Sequence, residues 1–152
     1  MTAVVRVLVV DDQRLIREGI ASLLRIQPGI DVVGVAEDGR GAVEQALALV
    51  PDVVLMDVRM PVMDGVEATQ ALRRDLPDCR ILMLTTFDDE EYVVSALRAG
   101  ANGYLLKDLP AAELAQAVRM ARAGVDQFAP AVTGRLLDAL GPRRTVVAEP
   151  TV

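Results

Sequence analysis

Five times along the chain a short aliphatic run gives way to a longer stretch in which aliphatic residues recur at helical spacing. The short runs are Val4 to Val10, Asp31 to Ala36, Val53 to Asp57, Arg80 to Thr86 and Gly103 to Leu106. Strand and helix in strict alternation predict a parallel sheet with helices on both faces. The run Val53-Val54-Leu55-Met56 shows no polar alternation, which fits a strand buried on both sides. The expected class is therefore α/β, doubly wound, with five strands.

The helical stretches carry their own punctuation. The first runs from Arg14 to about Ile26, with Leu15, Ile16, Ile20, Leu23 and Leu24 as the apolar set, and stops at Pro28-Gly29. The second carries Ala42, Val43, Ala46, Leu47, Leu49 and Val50 and ends at Pro51, and the third spans Gly65 to Leu76 before Pro77. Asp88-Asp89-Glu90-Glu91 supplies a cap and first-turn acids for the fourth, which ends at Gly100 in a position suited to left-handed backbone. The fifth follows Pro110, turns Leu114 and Val118 inward and ends before Gly124.

Composition narrows the chemistry. With 152 residues the chain has room for one domain, placed at 1–124, and an appendage, 125–152, in which Ala131 to Leu140 reads as a linker helix and the rest as a frayed tail. Only 3% of residues are aromatic, so the core must be aliphatic. A net charge of -6 and the lack of a basic block make the domain a poor sequence-independent binder of nucleic acid. Cys79 is the only cysteine, which excludes an internal disulfide, makes a reducing cytoplasm the simplest compartment and leaves the thiol to pack. The apolar start has no basic flank and is cut short by Asp11-Asp12, so neither a signal peptide nor a membrane span is expected. Histidine is absent, which leaves carboxylates as the chemistry on offer.

Those carboxylates fall at strand ends. The tips of strands one, three, four and five offer Asp11-Asp12, Asp57, Thr85 and Lys107. In a sheet of order 2-1-3-4-5 the crevice between strands one and three lies where ligands bind, and the three acids meet across it. Three carboxylates so close would repel and raise one another's pKa unless a cation sat among them, and a hard divalent ion, Mg2+ above all, is the natural occupant. Metal, lysine and hydroxyl converging on a carboxylate suggest phosphoryl chemistry with Asp57 as nucleophile, the donor being another molecule. Singly, each residue has a plainer reading: Asp11-Asp12 as a helix cap, Asp57 with Pro61 and Gly65 as a turn, Lys107 as a solvated side chain, Thr85 and Tyr104 as strand formers. Jointly those readings require independent accidents at one sheet edge.

Asp-Asp after strand one, Met-Asp-Val-Arg-Met-Pro-Val-Met-Asp-Gly, Leu-Thr-Thr-Phe and Tyr-Leu-Leu-Lys together resemble the receiver domain of two-component response regulators, over about residues 4 to 124. The resemblance implies a flavodoxin-like fold with Asp57 as phosphoacceptor. It implies Mg2+, with Mn2+ as a substitute, held by Asp12, Asp57 and the Arg59 carbonyl, with Asp11 acting through water. Thr85 and Lys107 would hold phosphoryl oxygens, Tyr104 would rotate inward as Thr85 moves, and helix four, strand five and helix five would form the output face. A sensor histidine kinase is the implied partner, and homodimers through that face or through helices one and five both fit.

Finer wording, Leu-Thr-Thr-Phe-Asp-Asp-Glu-Glu-Tyr and Ala-Gly-Ala-Asn-Gly-Tyr-Leu-Leu-Lys-Asp, is similar to the LuxR-like (NarL/FixJ-type) class, whose linker leads to a DNA-binding helix-turn-helix domain. The sequence stops before such a domain, so DNA contact is expected only through a portion outside it, in a truncated chain or a receiver acting alone. Two departures stand out. Asp108 replaces the proline usual after the lysine, and a cis bond there would cost roughly 3 kcal/mol, so Lys107-Asp108 is either trans or strained. Thr86 is larger than the usual residue and predicts slower turnover of a phosphate on Asp57. Competing readings are a phosphorylation-independent interaction module and a phosphohydrolase of the haloacid dehalogenase type. The latter needs an acid where Arg59 stands.

Overall fold

A computed structural model of the chain describes residues 4–86 and 91–128. Its elements are β1 (Val5–Val10), α1 (Arg14–Arg25), β2 (Ile30–Ala36), α2 (Gly39–Leu49), β3 (Val53–Asp57), α3 (Gly65–Asp75), β4 (Arg80–Thr85), α4 (Glu91–Ala99), β5 (Gly103–Leu106), α5 (Ala111–Arg122) and β6 (Gln127–Phe128). The sheet runs β2-β1-β3-β4-β5-β6 with every pairing parallel. The expected five-stranded order is present, and β6 adds two residues at the β5 edge, pairing Tyr104 with Phe128. The sheet thus continues past Gly124.

Side chains alternate across each strand and sort the core into two halves. Leu8, Val10, Val54, Met56, Ile81 and Met83 face one way and pack with Ala42 and Ala46 of α2, Ala68 and Leu72 of α3, and Val93 and Ala96 of α4. Val7, Val9, Val53, Leu55, Leu82 and Leu84 face the other way, onto Ala21 and Leu24 of α1 and Leu114, Ala115 and Val118 of α5. All five residues of β3 are buried, so a slip of one residue would exchange the two faces throughout.

Helices one and two form where their apolar periodicity places them, and packing decides which of those apolar residues are buried. Leu15 is 86% exposed and Leu23 51%, while α1 seats itself through the fully buried Ala21 and Leu24. The spacing of apolar residues identifies a helix, but the closer approach of small residues decides which edge of the stripe meets the sheet. α2 ends at Leu49, and Val50 adopts left-handed backbone (φ 47°) and turns outward. The fourth-helix acids Asp88, Asp89 and Glu90 and the linker helix at Ala131 to Leu140 lie outside the described residues.

Caps and glycines fix the loops around the central strand. Asp38 accepts from the Gly41 N–H at the start of α2, and Asp64 and Glu67 form a reciprocal capping box at the start of α3. Gly100 closes α4 with φ 104° as its position foretold. Among the described residues there is no cis peptide, so Lys107-Asp108 is trans. Gly65 donates to the Val58 carbonyl at 2.7 Å, and a Cβ there would collide with the Asp57 carbonyl oxygen. Gly65→Ala should therefore destabilise the protein by about 2–4 kcal/mol in urea melts, whereas Gly19→Ala, on the open face of α1, should stabilise it by about 0.5–1 kcal/mol.

Candidate functional site

Parallel register brings the strand tips level. Val10 lies beside Met56, Asp57 beside Leu84, and Thr85 beside Leu106, so the residues that follow β1, end β3 and β4, and follow β5 share one edge. Asp11 is 1% exposed and Asp57 7%, while Asp12 is open to solvent. Ligand oxygens of the three lie within 4.8 Å of one another. Lys107 reaches in from the end of β5, its Nζ 2.9 Å from Asp11 Oδ2 and 3.2 Å from Asp57 Oδ2.

Neighbouring backbone holds these groups in place. The Lys107 N–H donates to the Thr85 carbonyl at 2.8 Å, which ties the lysine to the neighbouring strand tip. The Gln13 N–H donates to Asp11 Oδ1 at 2.9 Å, and Arg17 Nη1 donates to the Asp11 carbonyl at 2.8 Å. Gln13, without a capping bond from its side chain, is the residue that begins α1, so the acid pair is not its N-cap. Arg17 was not among the residues singled out from sequence, because a helical arginine carries no local sign of a long-range partner.

Electrostatics follow from this placement. Burial pushes the Asp57 carboxyl up to about 6, with the Lys107 charge pulling it down and the Asp11 charge pushing it up further. Burial draws Lys107 down, but hydrogen bonding and charge from Asp11 and Asp57 outweigh it, and its net displacement is upward. Asp11 Oδ2 is buried and its partner is the Lys107 ammonium at 2.9 Å. An anionic, oxygen-only cluster of three carboxylates answered by one ammonium fits a hard divalent cation, with the three aspartates as donors.

The other expected residues surround this centre. The Thr85 hydroxyl donates to the Thr86 carbonyl at 3.0 Å, and Thr85, Thr86, Leu106, Lys107 and Asp108 line a cavity of about 250 Å3. Tyr104 is 1% exposed, so its ring already lies inward in this conformation. Arg59 is exposed in the turn two residues after Asp57, and its guanidinium carbon stands 5.7 Å from the centre of the Tyr92 ring on α4, a contact no sequence pattern announced. A larger cavity, about 320 Å3, opens at the opposite sheet edge among Asp52, Asp78, Arg80 and Arg122, away from the acids. Cys79 borders that cavity, buried, with its thiol pushed up to about 11 by burial, as an inert packing residue should be.

A doubly wound parallel sheet thus carries two buried acids, a solvent-facing third, a hydroxyl and a lysine at its carboxyl edge. Residues 7–119 match the family described as response regulator receiver domain, and the chain belongs to that family. It is similar to the transcriptional regulatory protein LiaR of Bacillus subtilis, 45% identical over 90% of this chain and 64% of that protein, and to LnrK of the same species, 43% identical over 88% and 61%. Among solved structures it resembles a LuxR-family response regulator from Aurantimonas, with TM-score 0.83, 33% identity and coverage of 90% of this chain and 98% of that one. The chain therefore spans less than two thirds of the length of these curated relatives.

Because the fold raises the Asp57 pKa from 3.8 to about 6, stability that is complete below 3.8 is lost as pH climbs through 6. Without divalent ions, Asp57→Asn should be more stable than the wild type at pH 7 by on the order of 2 kcal/mol, and the gap should close towards pH 4. Denaturant melts across that range, repeated with Mg2+, check both the sign and its reversal by metal.

Proposed function

We propose that Asp57 accepts a phosphoryl group from the phosphohistidine of a partner sensor kinase and that the resulting charge is read out as a conformational switch. One observation carries this reading above the others: the Lys107 ammonium bridges Asp11 and Asp57 at 2.9 Å and 3.2 Å, with all three side chains largely buried. A lysine so placed can hold a phosphoryl oxygen while an Asp57 oxygen attacks phosphorus in line. The new O–P bond forms as the P–N bond to the donor imidazole breaks.

Mg2+, or Mn2+ in its place, would be held by Asp12, Asp57 and the Arg59 carbonyl, with Asp11 through water, and would neutralise charge on the phosphoryl group. Thr85 would turn its hydroxyl from the Thr86 carbonyl to a phosphoryl oxygen, and Tyr104, already buried, would be kept inward as Thr85 moves. The face made by α4, β5 and α5 carries the change outward. The chain acts as an acceptor rather than a turnover enzyme: Arg59 stands where a hydrolase of the aspartyl-phosphate type needs an acid. The receiver unit runs through β6, past the boundary expected at 124, with a linker beyond it, and the protein works in the cytoplasm. Among the described residues no helix is long and apolar enough to cross a membrane. LiaR and LnrK are named transcriptional regulatory proteins. Control of transcription, through a DNA-binding portion outside these residues and with a homodimer as the bound form, is the readout proposed for the whole protein.

Incubation with an acyl phosphate and Mg2+ should add the mass of one phosphate, mapped to Asp57, and Asp57→Asn or a chelator should abolish it. Lys107→Ala should slow uptake by about tenfold or more. No uptake by a folded, metal-binding wild type would reject the reading, and multiple turnover on a phosphomonoester would replace it with hydrolysis.

A further inference from the structure

The cavity of about 250 Å3 beside the acids is walled from two strand ends: Thr85 and Thr86 at the end of β4, and Leu106, Lys107 and Asp108 at the end of β5. Lys107 reaches inward, its ammonium committed to Asp11 at 2.9 Å and to Asp57 at 3.2 Å. Asp108, the next residue through a trans peptide, is exposed, and among the described residues no ion pair answers its charge. The wall that supplies the lysine therefore also carries an open carboxylate.

The place of that charge decides what it can act on. In-line attack by an Asp57 oxygen puts the leaving group on the far side of phosphorus. A leaving group there emerges among the turns that follow the strand tips, two of which, at Thr85-Thr86 and Lys107-Asp108, border the cavity. Adjacent residues stand about 3.8 Å apart at Cα, so the Asp108 charge acts on that region across roughly one Debye length, screened but not abolished.

Donors differ in what leaves. A phosphoramidate near neutral pH carries an ammonium nitrogen on phosphorus. As the O–P bond to Asp57 forms, the P–N bond breaks, nitrogen keeps the electron pair and neutral ammonia departs. An acyl phosphate gives the same product on Asp57, but its bridging oxygen keeps the electron pair and a carboxylate anion departs. The nitrogen donor thus arrives with one negative charge fewer and sends none out past the rim. A fixed anion at the rim penalises the acyl donor in the transition state and spares the nitrogen donor.

The geometry points to Asp108 as a specificity-determining residue for the phosphoryl donor: its carboxylate at the cavity rim favours donors that leave through nitrogen over acyl phosphates, whose leaving group is an anion. This rests on the proposed phosphoacceptor function and adds the class of donor that the site prefers. The phosphohistidine of a kinase belongs to the favoured class, so the same charge sets the domain apart from small acyl phosphates free in solution.

The readout is the ratio of second-order rate constants for phosphorylation of the whole chain by phosphoramidate and by acetyl phosphate, followed by intact mass with Mg2+ at low ionic strength. Asp108→Asn should lower that ratio about threefold, chiefly through faster reaction with acetyl phosphate, and Asp108→Lys should lower it about tenfold. Asp108→Glu, which keeps the charge, should retain the wild-type ratio. Added salt should bring Asp108→Asn and the wild type together. Arg59 and Lys107 are the same in every variant, so their pull on the donors cancels in the comparison. A turn residue without this role would move both rates by one factor or by none. A ratio unchanged, or raised, in Asp108→Asn and Asp108→Lys would therefore overturn the proposal. Failure of the folded wild type to take phosphate from either donor would instead overturn the phosphoacceptor reading.

Discussion

One ammonium between two carboxylates organises this molecule's working edge. Asp11 and Asp57 are both nearly inaccessible to water, and anions in that setting are costly unless a cation answers them. Lys107 does so for both at once, and the residual strain shows in Asp57, whose carboxyl burial holds at about 6. The site is therefore charged and incompletely satisfied by protein groups alone. That is the condition under which a divalent cation would gain from arriving.

The ion pairs can exist only because the sheet delivers their members to one place. Lys107 and Asp11 are separated by most of the domain in sequence, and they meet because β5 and β1 flank β4 and β3 in parallel register. Each central strand is buried on both faces, so the register cannot drift without exposing one half of the core and crowding the other. The glycine at position 65 serves the same end, letting α3 begin hard against the Asp57 carbonyl. The buried strands thus fix the acids and the lysine from below, while the turns that follow the strand tips lie above them.

Much of this was readable in advance, for physical reasons that differ from residue to residue. The uninterrupted apolar run before Asp57 could be only a buried strand, and five such alternations left a parallel sheet as the consistent architecture. Helix ends were legible where proline or glycine set them, as at Pro77 and Gly100, because these residues constrain backbone by themselves. The inward face of α1 was not legible: Leu15 and Leu23 are as apolar as Leu24, and period alone cannot tell which side of a broad stripe meets the sheet. Strand β6 was invisible for a related reason, since two residues hold no period and their pairing depends on β5 being there to receive them.

Local chemistry alone set the aliphatic core, the strand that presents Asp57, the lack of any disulfide and the restriction to carboxylate chemistry, because composition and backbone preference act within a few residues. Three-dimensional packing decided what those pieces do to one another. It placed Lys107 between Asp11 and Asp57, set Arg17 against the Asp11 carbonyl, buried Tyr104 and laid Arg59 across Tyr92. Each of these joins segments whose separation along the chain carries no record of their distance in space, and only the closing of the sheet converts one into the other.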